Sequence, residues 1–271
     1  MNALKAPEIE DLLSCGLDLY QAASSRIMPH FRSAVVEFKP DGSEVTIADR
    51  LAEEEIRKRL GARFPRHAIV GEEFGGSIDA HNEFTWVLDP IDGTTYFALG
   101  LPAFGTLIAL LHHGEPVLGV VGFPAAREVL FAGTGLGCWH QLDNEDARRV
   151  NVAKAAAVGD AFCSASGVHA SDITGAATNL SRVIAAAGKF RILGDCQQHA
   201  LLCRGRIHVA IDTMMAPWDT AALVPCIREA GGIATSITGV PEGVVASGSL
   251  LATASAGLHS EVLQLMSTRE A

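Results

Sequence analysis

The sequence predicts a mixed fold in two halves: an α+β half built on an antiparallel sheet, then an α/β half in which short strands and helices alternate. Three observations predict it. Two stretches of helical period open the chain, hairpin-spaced apolar runs follow, and around Arg148 to Val158 the texture turns Ala-rich with strand candidates between helical segments. This places residues 1–150 in one subdomain and residues 151–271 in a second, with no low-complexity linker and no repeat of 20 to 50 residues between them.

Ile9, Leu12, Leu13, Gly16, Leu17 and Tyr20 share one helical face, and Pro7 suits a first turn. FKPDGSEVTIADR reads as a short strand and a turn at Asp41-Gly42, and Thr46 caps a second helix carrying Ala48, Leu51, Ala52, Ile56 and Leu60. HAIVGEE and FTWVLDP are buried strands that end in acids. TLIALLHHG and PVLGVVGFP form a hairpin turning at Gly114-Glu115, and REVLFAGTGLGCWH extends the same sheet. In the second half AFCSAS, KFRILG and HVAID are strand candidates, and SEVLQLMSTREA is a terminal helix that frays. Pro29 and Pro225 interrupt helical stretches and leave those boundaries open.

Composition narrows the function. A 48% hydrophobic and 19% charged chain of 271 residues is ordered and can bury a sizeable core. With 21 Lys plus Arg against 31 Asp plus Glu, the net charge of -10 makes nucleic acid and anionic membrane poor partners. No apolar run approaches the ~20 residues of a membrane span, and MNALKAPEIE lacks the features of a signal peptide. The expectation is a soluble cytoplasmic protein. Its six cysteines, without a CxxC, read as small buried hydrophobes, with neither zinc nor disulfide.

The stretch WVLDPIDGTTYF carries chemistry. Asp89 and Asp92 flank Pro90, which predicts a chain leaving a strand and turning sharply, so that both carboxylates aim at one point. Two converging carboxylates repel unless a cation sits between them, and an all-oxygen environment suits Mg²⁺. Gly93-Thr94-Thr95 then offers N–H groups where a helix would start, a place for phosphate. Alone, a D-P-x-D is more often two solvated strand-end acids. An EF-hand is excluded because the D-x-D-x-D-G run is missing. Glu72 and Glu73 in IVGEEFG, and Asp219 in PWDTAALVPCIREAGG, add further acids.

GEE, WVLDPIDGTT and WDTAA with EAGG, in this order and spacing, resemble the signature motifs of the inositol monophosphatase superfamily of magnesium-dependent, lithium-sensitive phosphomonoesterases, from about Asp11 to Gly232. The resemblance implies a layered αβαβα sandwich, usually a homodimer, acting on a small phosphate monoester. It implies that Glu72, Asp89, the Ile91 carbonyl, Asp92 and Asp219 hold two or three Mg²⁺ ions, with Asp89 bridging two of them. Asp49 and Thr94 match a dyad that positions and deprotonates the attacking water, with Glu72 beside the third ion. The amides of Gly93 and Thr94 match the phosphate cradle. No phosphoenzyme is needed. Lys39 reads as a solvated lysine, with shielding of the site as the alternative.

The released alcohol must be read by other side chains. LGDCQQHALLCRGRIHVAIDTMMAPWD resembles the histidinol-phosphatase branch, with Asp195 in the G-D-C acid position and Asp212 where the superfamily usually has a substrate-contacting glutamate. Two acids favour an amine cation, which implies L-histidinol phosphate and a role in histidine biosynthesis. The branch generally follows G-D-C with aromatic residues, whereas this chain has Gln197, Gln198 and His199. An inositol-1-phosphate or broad sugar-phosphate phosphatase stays open, as do plain strand-end roles for both acids. A non-catalytic interaction protein retaining the fold is the reading from another class. GTGLGCW lacks the helix and spacing of a dinucleotide-binding turn.

Overall fold

Alternation along the strands sorts the buried side chains into three clusters, and these clusters define the layers. The computed structural model describes residues 4–40, 42–168, 172 and 179–267. In chain order the first half contains α1 (Ala6–Ile27), β1 (Glu37–Phe38), β2 (Glu44–Val45), α2 (Ile47–Arg63), β3 (Ala68–Gly71), β4 (Phe84–Asp92), α3 (Thr94–Ala98), β5 (Gly105–His112), β6 (Glu115–Phe123), β7 (Glu128–Gly133), β8 (Gly137–Leu142) and β9 (Arg148–Val150). The second contains β10 (Phe162–Ser166), α4 (Leu180–Ala186), β11 (Lys189–Ile192), α5 (Asp195–Cys203), β12 (Val209–Asp212), α6 (Pro217–Ala221), α7 (Leu223–Glu229), β13 (Ile233–Thr235), β14 (Leu250–Thr253) and α8 (Ala256–Ser267).

Strands β3 to β9 form a seven-stranded sheet in sequence order, antiparallel except for the parallel β3–β4 pair. On one face Trp86, Leu88, Ile108, Leu110 and Val120 pack against α1 and α2. Their neighbours Val87, Leu107, Ala109 and Val121 point the other way, onto α5, α6 and α7. These helices also cover Ala210, Leu250 and Ala252 of the five-stranded sheet, ordered β11-β10-β12-β14-β13. The opposite face of that sheet, with Cys163, Val209, Ile211 and Leu251, packs on α4 and α8. A strand period of two thus gives each sheet two buried faces, and the stacking is the αβαβα sandwich. The chain leaves the first sheet at Val150 and enters the second at Phe162.

Close contact in the middle requires glycine. A Cβ at Gly119 would lie 2.1 Å from the Ala222 carbonyl oxygen between α6 and α7, and one at Gly122 would lie 2.0 Å from the Tyr20 ring. All six cysteines are free and buried.

Three expectations change. Strand β4 does not leave the sheet in a sharp turn at Pro90 but runs through it to Asp92, with a register shift in which Asp89 faces Leu107 and Asp92 faces Gly105. Proline is tolerated at such a bulge because its missing N–H falls where the ladder is already interrupted. The β5–β6 hairpin turns at His113-Gly114, with φ of 51° and 84°, and Glu115 already belongs to β6. Pro225 sits inside α7, because the helical run is broken before it at Ala222. Asp41 of the expected Asp41-Gly42 turn, and the last four residues of the expected terminal helix, lie outside the described residues.

Candidate active site

The bulge explains how two acids three residues apart converge. In a regular strand such residues point to opposite faces. Three β4 residues, Asp89 to Ile91, are here accommodated against two of β5, so Asp92 returns to the face of Asp89 while Ile91 goes to the α1–α2 core. The Thr106 hydroxyl donates to the Pro90 carbonyl at 2.8 Å and holds the bulge. Asp219 arrives from the second half at the start of α6, where its Oδ2 accepts the Ala216 N–H at 2.7 Å. Asp89, Asp92 and Asp219 each present one oxygen, and these lie within 4.8 Å of one another.

The electrostatics are those of crowded, buried carboxylates. Burial, then Glu72, Asp92 and Asp219, raises Asp89 well above the usual carboxylate range. Burial, then Asp195 and Asp219, does the same to Asp92. Asp219 is pushed up to about 7 by burial, with Glu72, Asp212 and Asp195 adding to the rise. Asp89 Oδ1 is buried with no hydrogen-bond partner. An orphaned oxygen among crowded hard carboxylates fits Mg²⁺, which takes oxygen ligands and restores the ionised forms.

Glu72 follows β3 on the turn Gly71 to Gly75, and its N–H donates to the Leu88 carbonyl at 3.2 Å, next to Asp89. Its Oε1 is 2.8 Å from Lys39 Nζ, which also meets Glu73 Oε1 at 2.8 Å. Lys39 is therefore not a solvated lysine: burial lowers its pKa, but the two carboxylates outweigh this and raise it. Glu73 is pushed up to about 6, mainly by burial.

Asp49 is buried at the start of α2, where Thr46 donates to its Oδ2 through N–H at 2.8 Å and hydroxyl at 2.6 Å. Its Oδ1 is buried and unpartnered, and burial raises its pKa. Thr94 makes no direct hydrogen bond to it. The Thr94 hydroxyl donates instead to the Ile91 carbonyl at 3.0 Å, across the tight turn at Gly93, whose φ is 83°. The first N–H groups of α3 have no partner within the helix.

Asp195 opens α5 with a strained φ of 30°. Ser166 Oγ donates to its Oδ1 at 2.7 Å, while its Oδ2 lies 3.0 Å from where a Cβ at Gly93 would sit. Burial and then Asp212 raise its pKa against the Ser166 bond. Asp212 ends β12, and its Oδ2 meets Gln198 Nε2 at 2.7 Å and His199 Nε2 at 2.5 Å. His199 and Gln198 are fully buried, and each keeps one polar atom unpaired, Nδ1 and Oε1. His208 is structural, with Nδ1 accepting the Phe162 N–H at 3.0 Å.

Sequence reasoning missed Ser166 and Glu53, the latter a fully buried acid on α2, and named Gln198 and His199 only as a departure from the aromatic pattern, without their tie to Asp212. Glu53 had a signal, since it lies one turn from Asp49 beside the apolar stripe Ala48, Ala52 and Ile56.

The sandwich, with crowded carboxylates beside a helix start, defines a protein with a candidate all-oxygen cation site. The profile of the inositol monophosphatase family matches residues 8–270, and the chain belongs to that family of phosphatases. The histidinol-phosphatase of Mycobacterium tuberculosis is 37% identical over 233 residues, covering 84% of this chain and 86% of that protein. The fructose-1,6-bisphosphatase/inositol-1-monophosphatase of Thermotoga maritima is 32% identical over 232 residues, covering 84% of this chain and 86% of that protein. A solved inositol monophosphatase from Zymomonas mobilis superposes with a TM-score of 0.82 at 28% identity, covering 97% of this chain and 99% of that one. No helix of the described residues is long and apolar enough to cross a membrane.

Proposed function

We propose that this phosphatase hydrolyses a phosphate monoester bearing an amine, L-histidinol phosphate, to L-histidinol and phosphate in histidine biosynthesis. The observation that carries the substrate choice is Asp195, whose carboxylate stands beside Gly93 and close enough to Asp92 to raise its pKa. Negative charge beyond that needed for cations favours a cationic substrate group. Histidinol-phosphatases among the relatives support the same choice. The 32% identical fructose-1,6-bisphosphatase/inositol-1-monophosphatase supports the second reading, a sugar- or inositol-phosphate substrate.

In this reading Glu72, Asp89, the Ile91 carbonyl, Asp92 and Asp219 hold two or three Mg²⁺ ions. Bound there, Mg²⁺ supplies charge neutralisation and lowers the pKa of water. The chain's own groups do the rest. The amides of Gly93 and Thr94 bind the phosphate oxygens at the start of α3. Asp49 Oδ1, buried and unpartnered, accepts the proton of the attacking water, and Thr94 orients that water once its hydroxyl turns from the Ile91 carbonyl. Asp195 and Asp212 orient the amine. Residues 1–150 supply most ligands and the cradle, and residues 151–271 supply Asp219 and the specificity groups. Lithium sensitivity, a homodimer and a cytoplasmic location accompany this reading.

The test is a panel of phosphomonoesters with Mg²⁺. kcat/KM for histidinol phosphate is expected to exceed that for inositol-1-phosphate more than about tenfold, or about 1.4 kcal/mol. A smaller ratio favours the second reading, and no phosphate release from any ester favours a non-catalytic role.

A further inference from the structure

Glu53 lies on α2, fully buried, where neither substrate nor solvent reaches it. Its carboxylate nevertheless accepts from three donors. Oε2 accepts the Glu73 N–H at 2.8 Å, and Oε1 accepts Arg57 Nε at 2.7 Å and the Phe74 N–H at 3.3 Å. Arg57 Nη2 continues to the Gly75 carbonyl at 2.7 Å. Both main-chain donors belong to the turn that presents Glu72. That turn is closed on itself by Gly71 N–H to the Gly75 carbonyl at 3.1 Å and Gly75 N–H to the Gly71 carbonyl at 3.0 Å. A Cβ at Gly71 would lie 2.0 Å from Glu53 Oε1, so a side chain there displaces the carboxylate.

The packing of α2 alone gives no reason for an acid here. The helix already buries Ala48, Ala52, Ile56 and Leu60 and is capped by Thr46, and an apolar residue at a buried position is generally no worse than an ion pair. What an apolar residue lacks is acceptors. Only a carboxylate offers enough to serve two main-chain N–H groups and a guanidinium together, whereas a glutamine would turn its NH₂ towards one of these donors. One helical turn before Glu53 stands Asp49, so α2 carries both the buried acid of the site and the clamp on the turn that bears Glu72. On the other side the Glu72 N–H is tied to Leu88, next to Asp89. The Glu72 backbone is thereby held between α2 and β4.

We propose that Glu53 is a positioning residue for the cation site, clamping the turn Gly71 to Gly75 so that Glu72 is held in reach of the cations gathered by Asp89. The inference rests on the reading of Glu72 as a metal ligand. It acts through the backbone of residues 73 and 74 and touches no reacting atom.

The experiment is a titration of the full chain with Mn²⁺, free Mn²⁺ being read by electron paramagnetic resonance, with thermal unfolding measured alongside. Three variants are compared with wild type: Glu53→Gln, Gly71→Ala and Val262→Ala. Gly71→Ala keeps the Glu53 charge but drives its carboxylate off the turn, and so tests the clamp should Glu53→Gln fold poorly. Val262→Ala removes buried volume from α8, remote from the site, and reports destabilisation alone. The expected result is Mn²⁺ affinity about tenfold weaker in the first two, as for residues that support metal ligands, and unchanged in Val262→Ala despite its lower Tm. Unchanged affinity in both Glu53→Gln and Gly71→Ala overturns the inference and leaves the cation site standing. A loss in Val262→Ala matching theirs also overturns it, by making the effect one of stability. If wild type binds no Mn²⁺, the cation site itself falls and the inference with it.

Discussion

The backbone N–H of Cys196 donates to Asp92 Oδ2 at 2.7 Å. This bond ties the start of α5 to the bulged end of β4, and so joins the two halves at the site itself. It also fixes one oxygen of Asp92, whose carboxylate gathers with those of Asp89 and Asp219. Beneath it, Cys196 Sγ would lie 2.5 Å from a Cβ at Gly105, the residue paired with Asp92 across the bulge. The approach of the halves and the aim of the carboxylates are one packing arrangement.

Asp89→Asn removes a charge from a crowded group without changing its shape. Phosphate release at saturating Mg²⁺ is expected to fall by at least about a hundredfold. The Tm of the metal-free protein should rise, because one member of a repelling set is gone. A wild-type kcat in this variant contradicts the metal assignment.

With metal removed by a chelator, stability should depend on pH through Asp219. Its folded pKa is raised from 3.8 to about 7, so between these values the folded state holds a proton that the unfolded state has lost. The group's contribution is therefore most favourable below pH 3.8 and is lost as the pH rises to about 7. The Tm should fall across that window, and Asp219→Asn should flatten the fall. Added Mg²⁺ should raise the Tm more at pH 8 than at pH 5. A metal-free Tm that climbs steadily from pH 5 to pH 8 rules this out.

Asp195→Asn should raise KM about tenfold for histidinol phosphate, the scale of a lost hydrogen bond to a charged group. KM for a neutral ester should move little. Steady-state kinetics on the two substrates decide it, and equal effects on both remove the assigned role.

Thr46→Val removes the hydroxyl that caps α2 and donates to Asp49. The loss of the cap should cost about 1 kcal/mol in urea unfolding. kcat should also fall severalfold, since Asp49 Oδ2 is then less firmly held. Unaltered stability and rate together would show the cap to be dispensable.

Much was legible in the sequence because it is periodic or local. The apolar stripe of α1, the cap at Thr46, the hairpin-spaced runs and the order of the acidic motifs all depend on residues within a few positions of one another, where steric and hydrogen-bonding rules act directly. What only the tertiary structure decided is which of these groups meet. The bulge at Pro90 needs β5 to define it, because a shift of register exists only relative to a partner strand. Lys39 finds Glu72 and Glu73 by folding a hairpin back over the turn, and His199 and Gln198 find Asp212 across the boundary between α5 and β12. Glu53 shows the division most plainly. From sequence it is one acid among the three in LAEEEIRK, marked only by its place beside the apolar stripe, and what its carboxylate holds is decided by the turn Gly71 to Gly75 that comes to cover it.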